Sequence, residues 1–152
     1  MRVTYCYNCT EFEVGKFDRC PSCGWSCVKT FDLPDDQFGI YVSAGFVLIN
    51  TTPHDVNVFP DGDVNLPDPE PAIVIPSAPK PLRANEEVDD SVTRGGIDFV
   101  VKRLDVSPYR RLPYYDAPIL YIVPLAVAQI VKRNDFIVPD QLIRDDQGRN
   151  PL

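Results

Sequence analysis

The sequence predicts an α+β protein that is mostly β: a cysteine-clamped hairpin, then a compact antiparallel β domain with one short helix. Three observations carry that expectation. Four of the five cysteines fall as two close pairs near the N-terminus, Cys6 with Cys9 and Cys20 with Cys23. Val, Ile, Leu, Phe and Tyr recur in short runs, and 16 prolines in 152 residues favour short strands and loops over long helices. A single stretch, Leu125 to Arg133, has helical spacing, with Leu125, Ala128 and Val131 on one side.

The cysteines stand as C-x2-C, 10 intervening residues, then C-x2-C. A pair spaced in this way turns both sulfurs toward one point. Two pairs facing each other make a tetrahedral four-sulfur cage, which suits zinc. The intervening segment reads as a hairpin: Phe12 and Val14 alternate with Glu11 and Glu13, Gly15-Lys16 turns, and Phe17 leads back to the second pair. Gly24, directly after Cys23, allows a tight bend that aims amide N–H groups at sulfur. Residues 1–30 are therefore expected to form a zinc-ribbon-like module. Most such cages hold a small module together and touch no substrate. Cys27 is left over, either a substitute ligand or a small apolar packing residue.

So short a module buries too little surface to fold without its metal. A connector at 31–38 with Pro34, Asp35 and Asp36 leads to the mainly β domain, residues 39–152. The chain carries a net charge of −7. Residues 1–30 hold four basic and three acidic side chains, so the remainder stands at 11 against 19, or −8. An acidic main domain is repelled by phosphate backbones, which disfavours nucleic acid as its partner. Metal spacing with one odd thiol fits a reducing cytoplasm better than a secreted disulfide framework, and MRVTYCYNC lacks a signal peptide's apolar run. The most apolar segment, Ala117 to Val131, is broken by Pro118, Pro124 and Gln129 and is too short for a bilayer, so no membrane partner is expected.

Along the β domain, Gly39 to Asn50 reads as a strand or a tight strand pair bent at Gly45. Val56 to Phe59 reads as a short strand. A proline-rich loop covers 60–81, with a possible edge strand from Ala72 to Ile75. Arg83 to Asp90 is acidic and expected to be exposed, and Arg94-Gly95-Gly96 precedes a strand from Ile97 to Leu104. Arg110 to Tyr115 reads as a loop and Ile119 to Val123 as a buried strand. Pro124 then suits the first turn of the helix, whose end carries Lys132-Arg133. Phe136 to Val138 and Gln141 to Arg144 read as short strands, the second followed by a turn at Asp145 to Gly148.

Four pieces of this domain form a pattern: Asn50-Thr51-Thr52-Pro53-His54; IPSAPKPLRA with Arg83; YIVPLAVAQIV with Tyr121; and IVPDQLIRDDQG with Pro139, Arg144 and Asp145. Over about residues 46 to 150 it resembles a group of small uncharacterised proteins encoded by tailed bacteriophages and some bacteria. That group usually has Ser where Pro124 stands, and the cysteine hairpin is an addition to it. The resemblance implies a phage-related accessory protein without an established activity.

His54 is the only histidine. Thr51, Thr52 and Asp55 are near it in sequence, but neighbours on an extended strand point to opposite faces, so a small hydrolase is the weaker reading against a structural His. His54, Arg83, Tyr121 and Arg144 are the candidate ligand contacts. If the strand ends converge, guanidinium groups and an aromatic ring there suit a small anionic, nucleotide-derived molecule, and ordinary salt bridges are the simpler alternative. Lys102, Arg103, Arg110 and Arg111 beside Tyr109, Tyr114 and Tyr115 make a weak nucleic-acid patch. The overall expectation is a non-enzymatic binding protein that captures a small anionic ligand or a host protein. The alternative is a nucleic-acid-associated protein that uses the zinc hairpin as its contact.

Overall fold

The computed structural model describes residues 1–59 and 70–139. Strands β1 (Arg2–Cys6), β2 (Glu11–Val14) and β3 (Val28–Asp32) form an antiparallel sheet with β1 in the middle. Val3 and Tyr5 point into the core, and Thr4 on the other face bonds the carbonyl of Gly15 at 2.7 Å and the hydroxyl of Thr30 at 3.0 Å. The hairpin differs from the one expected at Gly15-Lys16. Its turn is the Cys6–Cys9 loop, and β2 pairs backwards onto β1. Val3-Thr4-Tyr5 supplies the alternating strand that Phe17 to Cys23, rich in polar residues, cannot.

The central sheet runs β11 (Phe136–Ile137), β10 (Ile119–Ile122), β5 (Val47–Asn50), β4 (Gly39–Val42). β4 and β5 form the expected tight pair, closed by a turn in which Ser43 N–H reaches the Phe46 carbonyl at 2.9 Å. β5, β10 and β11 are mutually parallel, so this sheet is mixed where an antiparallel one was expected. The cause is local. Helix α2 (Leu125–Ile130) follows β10 and carries the chain back to start β11 in the same direction. Val127 and Val131 fill the core beneath it, whereas Leu125, placed on the buried side by sequence, is exposed. A second short helix, α1 (Ser107–Arg110), which the sequence did not signal, leads into the loop expected at Arg110 to Tyr115, with Pro108 in its first turn.

Both faces of β5 and β10 are covered. Val47, Ile49, Ile119 and Tyr121 join one core cluster, and Leu48 and Ile122 join Ile75 in another. Ile75 lies on β7 (Ile73–Ile75), which pairs with β6 (Val56–Val58). Gly39 is dictated by close approach here, since a Cβ would lie 1.8 Å from the Pro76 carbonyl oxygen. The first core cluster also contains Val3, Tyr5, Phe12 and Phe31. The N-terminal sheet therefore shares its core with the central one, and β3 runs across residue 30, where a module boundary was expected. The Phe12 N–H reaches the Ala44 carbonyl at 2.6 Å, Lys29 grips Asp116 at 2.8 Å, and Phe31 meets Tyr115 edge-on.

The longest strands, β8 (Asn85–Arg94) and β9 (Ile97–Asp105), form an antiparallel ribbon whose side chains are almost all exposed. Gly95 and Gly96, at φ 59° and 76°, make its two-residue turn. The expected strand Gln141–Arg144, the turn at 145–148 and part of the proline-rich loop lie outside the described residues. Among those described, no helix is long and apolar enough to cross a membrane.

Candidate metal centre

Two loops of matching shape bring the four cysteines together. In the first, Thr10 N–H bonds the Cys6 carbonyl at 2.9 Å; in the second, Gly24 N–H bonds the Cys20 carbonyl at 2.8 Å. The residue closing each loop is left-handed, Thr10 at φ 60° and Gly24 at φ 75°. Gly24 takes that shape freely, as its place in the sequence suggested. Thr10 does so under strain, because it is β-branched. Its sequence gave no such signal.

The four sulfurs lie within 4.8 Å of one another, close enough to hold one metal ion. They cross-pair between the loops, Cys6 with Cys23 and Cys9 with Cys20, each at 3.6 Å. That is contact distance between thiols, and all five cysteines are free of disulfides. Cys6 and Cys20 are buried, Cys9 and Cys23 half-buried, and the exposed Cys27 is not among the convergent four. The Asn8 amide points Nδ2 at the Cys23 sulfur at 3.7 Å.

The thiols differ electrostatically. The backbone N–H of Cys9, aimed at the Cys6 sulfur, brings that thiol down to about 7 against the opposing effect of burial. Burial pushes Cys9 up to about 12, with its thiol held further by the neighbouring sulfurs. Metal ions bind the thiolate form, so a divalent ion would displace whatever protons the four thiols hold. Two exposed aromatics neighbour the cysteines in sequence: Trp25, 59% exposed, follows the second pair, and Tyr7, 40% exposed, lies between Cys6 and Cys9 with its hydroxyl donating to the Asp116 carbonyl at 3.4 Å.

The other candidate residues are placed differently. Tyr121 is fully buried, and its hydroxyl donates to the Pro113 carbonyl at 3.1 Å. Burial raises its pKa further above the usual tyrosine value. Its ring stacks on Tyr115 and meets Phe136 edge-on, so it is a core residue and not a ligand contact. His54 is exposed, and its backbone carbonyl, not its imidazole, secures the strand end, accepting from Asn50 Nδ2 at 2.7 Å. Arg83 is exposed, and Arg144 lies outside the described residues.

The knot that organises this region is Asn50, which is fully buried. It also donates to the Pro76 carbonyl at 3.0 Å and accepts from the Thr52 N–H at 3.0 Å and hydroxyl at 2.7 Å. The Thr51 hydroxyl is committed to the Ile122 carbonyl at 2.7 Å, leaving neither threonine free to serve His54 as a nucleophile. The basic-aromatic patch does not assemble either: Tyr109 is fully buried with its hydroxyl on the Leu82 carbonyl, and Lys102 pairs with Glu86 at 2.7 Å.

Arg133, read from sequence as a helix-end charge, is instead a buried pin. It donates to the Leu112 carbonyl at 2.7 Å and the Pro113 carbonyl at 3.1 Å, forks onto Asp135, and lies 3.7 Å from the Tyr114 ring centroid. The alternation of apolar and polar residues carries no sign of such a pin. Compared with known proteins, the chain has no match among family models, curated proteins or solved structures.

Proposed function

We propose that this chain is a non-enzymatic binding protein whose N-terminal end is stapled by zinc, and that it captures a partner protein. The convergence of four thiols within 4.8 Å carries this reading. Zinc suits them best: sulfurs at about 2.3 Å from a tetrahedral ion lie about 3.8 Å apart, near the spacing found here. Four sulfurs fill a tetrahedral shell and leave no position for substrate or water, which favours a structural over a catalytic ion. Cys6, Cys9, Cys20 and Cys23 would hold it, and Asn8 would support the charge at Cys23. The exposure of Trp25 close after the second cysteine pair favours a protein partner, since aromatic anchors dominate such contacts. A small anionic ligand is less favoured now that Tyr121 is core. A reducing cytoplasm and a phage-type accessory role remain the setting in which thiol chemistry and the resemblance place the protein.

Elemental analysis of protein purified under reducing conditions is expected to give one zinc per chain. Chelation should shift the emission of Trp25, the only tryptophan, while the strand signal in circular dichroism largely persists. Metal-free protein with an unchanged Trp25 spectrum, or disulfides among these cysteines, would end the proposal. A second reading, contact with single-stranded nucleic acid through the hairpin, draws on the exposed Trp25 and on Arg19, whose Nη1 donates to the Gly24 carbonyl at 3.3 Å. It requires binding that weakens steeply with salt and is lost on Trp25→Ala.

A further inference from the structure

Among the described residues, no strand pairs with either outer edge of the ribbon β8–β9. Its outer strands are guarded unequally. β8 carries Glu86, Glu87, Asp89 and Asp90 and a bulge between Val88 and Asp90, all devices that discourage pairing. β9 carries Phe99-Val100-Val101 in the middle with no charge, proline or bulge. The two-residue turn makes Arg94 and Ile97 the closing hydrogen-bonded pair. Alternation then points the N–H and C=O groups of Asp98, Val100 and Lys102 outward, along the free edge of β9.

We propose that this edge is a self-association surface on which a second copy of the chain adds its own β9 antiparallel about a two-fold axis at Val100. In that register Val100 meets its own symmetry mate, and Asp98 lies opposite the partner's Lys102 on both sides of the axis. The charges are complementary, with Lys102 shared between the partner's Asp98 and Glu86 of its own ribbon, and Asp98 and Lys102 both direct their backbone groups at the partner. The face that carries Phe99 and Val101 pairs each with the other across the axis. Val92, which pairs with Phe99 within one ribbon, extends that apolar cluster. Val92, Phe99 and Val101 are 38%, 51% and 48% exposed, so the pairing would gather solvated side chains into one patch. The equivalent pairing through β8 would set acidic strands against each other.

Sedimentation and light scattering on the full chain test this. The wild-type protein is expected to dimerise with increasing concentration. Val100→Pro removes only an outward N–H, so the ribbon should stay intact and the dimer should be lost. Lys102→Asp should weaken association by about a hundredfold, and adding Asp98→Lys should restore most of it by swapping the charges. A wild-type protein monomeric at every concentration, a dimer that survives Val100→Pro, or a double variant no better than the single one would overturn the proposal.

Discussion

The ribbon and the central strand pair are opposite solutions to building with strands. β8 and β9 run 10 and 9 residues and stand in solvent, whereas β5 and β10 run four residues each and are almost wholly buried. The longer element has more ladder hydrogen bonds, yet each of those replaces a bond to water and contributes little net stability. The shorter pair removes Val47, Ile49, Ile119, Tyr121 and their neighbours from water on two faces. Strand length therefore says little about where this fold is held. The cage end lies between the two, sparse in core residues at its tip but carrying four convergent thiols close enough to hold a metal ion.

The largest effect should come from Arg133→Met. It leaves Asp135 and the Leu112 and Pro113 carbonyls without their partner behind the central sheet, at a cost of about 3–5 kcal/mol in urea unfolding. Ile49→Ala, at a fully buried site, should cost about 3 kcal/mol by the same measurement. Ile97→Thr on the ribbon should change global stability by less than about 0.5 kcal/mol. If the ribbon and the sheet responded equally, the contrast between them would fail. At the cage, Thr10→Gly should stabilise the metal-loaded protein by about 1 kcal/mol, because glycine relieves the left-handed strain at φ 60°.

The smallest expected effects concern surface ion pairs. Lys29 holds Asp116 below the usual carboxylate range, and Lys102 does the same for Glu86. A depressed carboxylate adds stability above its unfolded value of about 4 and loses it as pH falls through the folded one. Asp116 ties the N-terminal sheet to the loop before β10. Asp116→Asn should therefore flatten the acid side of the global stability profile slightly, whereas Glu86→Gln, within the ribbon, should leave it unchanged.

The β4–β5 pair, the buried ILYI strand and its short following helix were legible because dense apolar runs ended at a glycine bend or at Pro124. The ribbon was read only in half. Ile97 to Leu104 has the composition of a strand, but its partner, Asn85 to Arg94, overlaps a stretch so acidic that the sequence marks Arg83 to Asp90 only as exposed. It pairs because the Gly95-Gly96 turn folds it back, not because it has a face to bury. The role of Arg133 was invisible, and Asn50 was read only as part of a motif, for a related reason. Their bonds to the Leu112, Pro113 and Pro76 carbonyls span 20 or more residues of sequence, and no local pattern records those.

Cysteine spacing alone foretold the cluster of four sulfurs, since two C-x2-C loops can direct their sulfurs inward whatever surrounds them. The sequence also determined that the body would be short strands, because proline and β-branched residues limit the backbone choices locally. Only the tertiary structure decided that the N-terminal sheet shares its core with the central one, that the central strands run parallel, and that Tyr121 lies inside. Those outcomes depend on which apolar faces meet. Many faces in this chain are chemically similar, and the choice among them is made by packing the whole molecule at once.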